Sequence, residues 1–188
     1  MKLNKTNRKK ALVLVLVIYL VSLYFFKGYL EFYPSIPVYP NNEVDLKIMK
    51  KYMKKRTQQD VELFFKTNRS ISTAFYPYVD ETIEELDEMA FRQNYIILFF
   101  KYLINRRRPY QIDRNIKPLS TKTSNTPAFP AGHAYQALLL AKSLSKKYPH
   151  KKKLFDKIAL RCDECRIKAG IHYKSDGEFS KTLFNMFN

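Results

Sequence analysis

Two of the three histidines in this chain, His133 and His172, fall inside short segments that also carry cations. The segments read Lys101-x6-Arg108-Pro109, Pro130-Ala131-Gly132-His133 and Arg166-x5-His172-x3-Asp176. Histidine is the side chain best suited to proton transfer or nucleophilic attack near neutral pH. Lysine and arginine grip phosphoryl oxygens through charge-assisted hydrogen bonds. Lys101 and Arg108, seven residues apart, are expected on one helical face near a helix end. Gly132 at a helix start exposes backbone N–H groups to an anion, with His133 beside it to donate a proton to a leaving oxygen. His172 and Asp176 stand at i and i+4, close enough for the carboxylate to orient the imidazole, and Arg166 adds a third cation. Each segment alone also has a plainer reading. The first is equally a solvated basic helix end, as Arg106-Arg107-Arg108 would be. The second is a capping turn with an incidental histidine, and the third a surface i,i+4 pair.

The elements that must position these residues read as helical almost throughout. Val44, Ile48, Tyr52, Val61 and Phe64/Phe65 recur at helix-compatible spacing from Glu43 to about Phe65. Asp80 to Glu85 resembles an acidic helix start, suited to the helix dipole. That helix is expected to run through Met89, Ile96, Phe99 and Phe100 to Asn105, with Pro109 ending it. Residues 110–130, with three prolines and little periodicity, predict a long loop. Helices are expected at about 132–147, 151–169 and 174–186. No alternating β pattern persists, so the expected fold class is all-α, a compact helical bundle over residues 43–188.

The amino terminus has a different character. Residues 1–10 are basic, and Ala11–Phe26 is uncharged over sixteen positions, roughly 24 Å of helix against a hydrocarbon core of about 30 Å. Lys27 can snorkel, and Tyr29, Leu30, Phe32 and Tyr33 extend the run into an aromatic interfacial belt. A cleavable signal peptide competes, but Tyr24-Phe25-Phe26-Lys27 offers no small-residue cleavage site. Residues 11–30 are therefore read as an uncleaved transmembrane signal anchor. The first ten residues are placed in the cytoplasm by the positive-inside rule, and the helical domain on the extracytoplasmic side. Residues 31–42, with three prolines, read as a semi-rigid linker.

A formal net charge of +17 favours anionic partners: nucleic acid, an acidic membrane surface or a phosphorylated substrate. Zinc-finger spacing, RNA-binding strand signatures and a basic region with heptads are all missing, which argues against nucleic acid. Cys162 and Cys165 form a lone C-x-x-C in a helical pattern, so two thiols on one helical face are expected rather than a redox pair or a zinc site.

In this order, the three segments resemble the signature of the type 2 phosphatidic acid phosphatase superfamily, which also contains the vanadium haloperoxidases. That signature is K-x6-R-P, then P-S-G-H, then S-R-x5-H-x3-D. The chain matches it at Lys101, Arg108, Pro109, Pro130, Gly132, His133, Arg166, His172 and Asp176, and the resemblance covers about residues 80–188. Two family serines are replaced, by Ala131 and Cys165. The resemblance implies a phosphatase of that helical fold, independent of metal and without a cofactor, acting on a phosphomonoester or a lipid (pyro)phosphate. It implies His172 as nucleophile forming a phosphohistidine, Asp176 as its orienter and His133 as acid and then base. Lys101, Arg108, Arg166 and the Gly132 amide would hold the phosphate, and vanadate would act as its analogue. The partners implied are a phosphorylated small molecule or lipid head group, with the membrane held through residues 11–30. The alternatives are a vanadate-dependent haloperoxidase, or a membrane-anchored anion-binding homologue weakened by Ala131.

Overall fold

The structure, a computed structural model, describes residues 35–188. Among these residues there are helices and no strand, in agreement with the all-α expectation. The α-helices are α1 (Asn42–Lys54), α2 (Gln58–Lys66), α3 (Ile83–Phe91), α4 (Asn94–Ile104), α5 (Pro109–Ile112), α6 (Gly132–Lys147), α7 (Lys152–Lys168) and α8 (Lys174–Phe187). Short 3₁₀ turns lie at Ile71–Ala74, Tyr76–Tyr78 and Pro149–Lys151. Among the described residues no helix is long and apolar enough to cross a membrane. The expected anchor, residues 11–30, lies outside them.

Two long helices expected from periodicity are each divided. The first breaks at Lys55–Thr57, because Thr57 accepts a hydrogen bond from the Asp60 amide while the Asp60 carboxylate accepts from the Thr57 amide. This reciprocal capping box starts a new helix despite apolar spacing that runs straight through. The second breaks at Arg92 and Gln93, giving α3 and α4. Its start matches expectation: Thr82 caps α3 with Glu85 as the reciprocal partner.

Helix α6 is the hub. Ala134, Tyr135, Ala137, Leu139, Leu140, Ala141 and Leu144 bury almost its whole circumference, and it packs against α3, α4, α7 and α8. A helix apolar all round has to be internal. One core cluster joins Phe75, Leu86, Ala90, Leu140, Leu144, Phe155 and Cys162. Another joins Leu46, Met49, Ile116, Ile167 and Tyr173, tying α1 and the long loop to α7 and α8. Cys162 and Cys165 are free, buried core residues. Burial pushes the Cys165 thiol up to about 11 and Cys162 higher still, so neither is poised as a thiolate.

The segment before α1 is more than a linker where it is described. The Ile36 amide and the Ser35 hydroxyl both donate to the Ile104 carbonyl at the end of α4, at 3.0 and 3.1 Å. Tyr39 packs on Phe129 with ring centroids 5.6 Å apart. Residues 35–41 therefore belong to the helical unit, which begins before residue 43.

Candidate active site

Three local structures bring the signature residues together. The first is the chain reversal after α4. Asn105 takes a left-handed conformation (φ 51°) that stops the helix, one of the few non-glycine residues that tolerate it. Beyond it the chain is irregular, and Arg106, Arg107 and Arg108 are buried, exposed and buried in turn. Contrary to the expectation from spacing, Lys101 and Arg108 thus do not share a helical face. Lys101 projects from the last turn of α4, whereas Arg108 lies in extended conformation before the single-turn α5. Pro109 begins α5 rather than ending α4.

Both cations are sunk and held by the long loop. Lys101 donates to the carbonyls of Pro127 (2.6 Å) and Ala128 (3.5 Å). Arg108 donates through Nε to the Thr126 carbonyl at 2.9 Å and through Nη1 to the Ile171 carbonyl at 2.8 Å. Burial pushes Lys101 well below the usual lysine range, with Arg108 adding to the shift and Asp176 opposing it. Burial also brings Arg108 down to about 10, again against the pull of Asp176. Two buried cations so placed are relieved by an arriving anion.

The second structure is the start of α6. Ala131 occupies the cap position and supplies no side-chain cap, so the first amides of the helix are left for another acceptor. The Ala131 amide donates to the Asp176 carbonyl (3.1 Å), and Ser180 Oγ donates to the Ala131 carbonyl (2.9 Å). This turn is therefore pinned to the first turns of α8. A Cβ built on Gly132 would lie 3.7 Å from Ile97 and 3.8 Å from the Lys101 stem, which are ordinary contact distances.

The third is the α7–α8 turn. Gly170 has φ 80°, and a Cβ there would also crowd Met53 and Ile116 at 3.3 Å. His172 precedes α8 instead of lying on it, while Asp176 sits in the first helical turn. Asp176 accepts from the Tyr173 amide at 2.9 Å, so the carboxylate that caps α8 also meets His172 Nδ1 at 2.8 Å. The i,i+4 pair is a buried one, which removes the surface reading of that spacing.

The hydrogen bonds fix the imidazole tautomer. Arg108 Nη1 lies 2.8 Å from His172 Nε2 and can only donate. Nε2 is therefore the acceptor, and Nδ1 carries the proton toward Asp176. Burial, then Arg108 and Lys101, push the His172 imidazole well below its usual range, keeping it neutral. His133 is likewise driven down by burial, then by Arg166 and His172. Burial pushes the Asp176 carboxyl up, and Arg106, the Tyr173 amide, Arg108 and Lys101 draw it back.

Lys101, Arg108, Gly132, His133 and His172 line one cavity of about 130 Å³, with Ile97 and Leu98 as an apolar wall and Thr126 from the loop. Asp176 stands behind His172. Arg166 is placed otherwise: its Nη2 donates to the Thr67 carbonyl (2.7 Å) and Thr67 Oγ1 (2.6 Å), and its guanidinium lies over the Phe64 ring. It is not among the residues lining this cavity, its buried Nε makes no hydrogen bond, and its charge acts on His133. A larger cavity of about 480 Å³, walled by Leu138, Ala159, Leu160 and Asp163, contains no histidine.

Arg106 is the residue that spacing missed. It is fully buried, donates to Asp176 Oδ1 at 2.8 Å, and is held by Asn42, Asp45 and Ser175. Its signal in the sequence was the arginine triplet, which read equally as a solvated helix end. No group of acidic, cysteine and histidine side chains suited to a metal ion occurs among the described residues. The chain matches no protein-family model and no curated protein.

Proposed function

We propose that this chain is a phosphatase of the type 2 phosphatidic acid phosphatase kind, hydrolysing a phosphomonoester or lipid phosphate through a phosphohistidine. One observation carries the reading: His172 presents an unprotonated Nε2 into a cavity whose other walls are Lys101, Arg108, His133 and the start of α6. A neutral nucleophile, a proton carrier and paired cations around one small cavity fit phosphoryl transfer, where most of the catalysis is positioning and charge stabilisation.

An incoming phosphate oxygen takes the Arg108 N–H away from Nε2 and frees its lone pair. Nε2 then attacks phosphorus in line, and the bond from phosphorus to the leaving oxygen breaks. His133, protonated, gives its proton to that oxygen. In the second half His133 takes a proton from water, the water oxygen attacks phosphorus, the N–P bond breaks, and inorganic phosphate leaves. Asp176 holds the Nδ1 proton throughout and balances the charge on the imidazole. Lys101, Arg108 and the Gly132 amide face the phosphoryl oxygens, and Arg166 supports their field.

The apolar wall of Ile97 and Leu98, together with the expected anchor, favours a lipid phosphate over a small soluble one. Ser35 and Ile36 attach to the end of α4, one turn from Lys101.

The test uses the full-length chain in detergent with p-nitrophenyl phosphate and EDTA. Wild type is expected to turn over, vanadate to inhibit, and His172→Ala to abolish both hydrolysis and acid-labile phosphate labelling. Absence of turnover by folded wild type from about pH 5 to about pH 8 removes the enzyme reading. Bromide oxidation with peroxide and vanadate would favour the haloperoxidase instead.

A further inference from the structure

We propose that Arg106 is a positioning residue: clamped from behind by Asp45 and Asn42, it holds Asp176 in the orientation that fixes the His172 ring. The inference rests on the phosphatase reading for its consequences in rate, but its geometry stands by itself.

A guanidinium has five N–H donors in a fixed fork, and in Arg106 the whole fork is engaged. Nε and Nη2 donate to Asn42 Oδ1 at 3.1 and 2.9 Å, and Nη2 also donates to Asp45 Oδ2 at 2.9 Å. Nη1 donates to Ser175 Oγ at 2.7 Å and to Asp176 Oδ1 at 2.8 Å. Ser175 in turn donates to Asp45, closing the ring. The flat faces are covered by Tyr173, 3.7 Å from ring centroid to Cζ, and Tyr39 at 4.2 Å. Rotation of the guanidinium is thus blocked by hydrogen bonds in its plane and by rings above and below.

The division of oxygens on Asp176 gives this clamp its purpose. Oδ1 faces Arg106, while Oδ2 accepts from the Tyr173 amide and faces His172 Nδ1. Arg106 thereby fixes the carboxylate plane from the side opposite the histidine. A salt bridge serving stability alone would need only Asp45; buried pairs often contribute little net stability. Here one cation joins α1, the turn after α4 and the first turn of α8, and it ends on the orienter of the proposed nucleophile.

The same arrangement sets an acid limit on activity. Asp176 faces Arg106 from the post-α4 turn, Arg108 and Lys101 across the cavity, and Asp163 from α7; His172 faces those cations with Arg166 and His133. Arg106 lowers both the Asp176 carboxyl and the His172 imidazole. Without it both groups hold protons to higher pH, and the rate is lost earlier on acidification.

The experiment compares full-length wild type, Arg106→Gln, Arg106→Lys and the double variant Arg106→Gln/Asp45→Asn. The readouts are melting temperature, pH profiles on p-nitrophenyl phosphate, and the imidazole N–H resonances of histidine-labelled protein. For Arg106→Gln, kcat is expected to fall at least about ten-fold with KM little changed, since Lys101 and Arg108 still hold phosphate. The acid limb of its profile should move to higher pH, and the His172 Nδ1–H resonance should shift or broaden. Arg106→Lys should restore the limb but only part of kcat, having lost the fork. The double variant removes the unpaired charge left at Asp45 but not that at Asp176, so it should recover part of the melting temperature without recovering rate. An unmoved acid limb and an unchanged His172 resonance in folded Arg106→Gln overturn the proposal. A wild type without turnover whose His172 resonance still depends on Arg106 overturns the phosphatase reading and leaves the positioning role supported.

Discussion

At the residue scale, the two histidines are depressed by the same surroundings, but the proposed mechanism needs them in opposite protonation states. In that mechanism His172 must be neutral to attack, and burial among cations favours the neutral form. His133 must carry a proton to protect the leaving oxygen, and those cations oppose it. A phosphate dianion cancels their field and raises His133 only once it is bound. Protonated His133 is therefore scarcer in the free enzyme than in the complex. The limb at which activity falls with rising pH is expected at lower pH in kcat/KM than in kcat, because these report the free and bound enzyme respectively. His133→Ala should remove that limb. It should also slow hydrolysis of an alkyl phosphate about ten-fold or more beyond its effect on p-nitrophenyl phosphate, whose leaving group needs little protonation. Equal losses on both substrates would deny His133 the acid role.

At the scale of elements, the start of α6 is the weak point of the site. Its cap, Ala131, has extended geometry (φ −78°, ψ 109°) and no side-chain oxygen, and both its backbone groups are already fixed by α8. Ala131→Ser is expected to cap the helix, adding about 0.5–2 kcal/mol, which raises the melting temperature by roughly 2–4 °C per kcal/mol. The same hydroxyl reaches toward the anion, where a hydrogen bond to a charged group is worth about 1.5–3 kcal/mol, so kcat should rise as well. Thermal melts and kinetics separate the two effects; a higher melting temperature without faster turnover would place residue 131 away from the phosphate. This scale also marks how far the sequence could be read. The last three helices were legible from apolar spacing and the flanking Pro130, Pro149 and Gly170, and the acidic start of α3 from its Thr82–Glu85 cap. The breaks at Thr57 and at Arg92–Gln93 were not, since apolar periodicity continues through both. That Lys101, His133, His172 and Asp176 converge was legible from residue type and order. Arg106 was not legible, because alternating burial after a left-handed Asn105 looks in sequence like three solvated arginines. Arg166 was assigned to the cavity on order alone, whereas its partners at Thr67 lie about a hundred residues away in the chain.

At the scale of the whole molecule, charge and the proposed tether would act on substrate supply rather than on chemistry. The net charge of +17 attracts any anionic surface, and such attraction is screened beyond a Debye length of about 10 Å at 0.1 M salt and about 3 Å at 1 M. The groups proposed for catalysis are buried, and buried interactions are screened far less. Hydrolysis of a lipid phosphate in anionic vesicles by the reconstituted full-length protein should therefore fall several-fold between about 0.05 and about 0.5 M salt. Hydrolysis of p-nitrophenyl phosphate by the same protein in neutral vesicles should change much less over that range. The comparison isolates the surface because both substrates use the same cations, the same nucleophile and the same cavity. If both rates fall together, salt is competing inside the cavity, and the basic exterior has no part in bringing substrate to it. If neither falls and the lipid is not hydrolysed, the apolar wall at Ile97 and Leu98 does not admit an acyl-bearing substrate, and a soluble phosphomonoester becomes the substrate class.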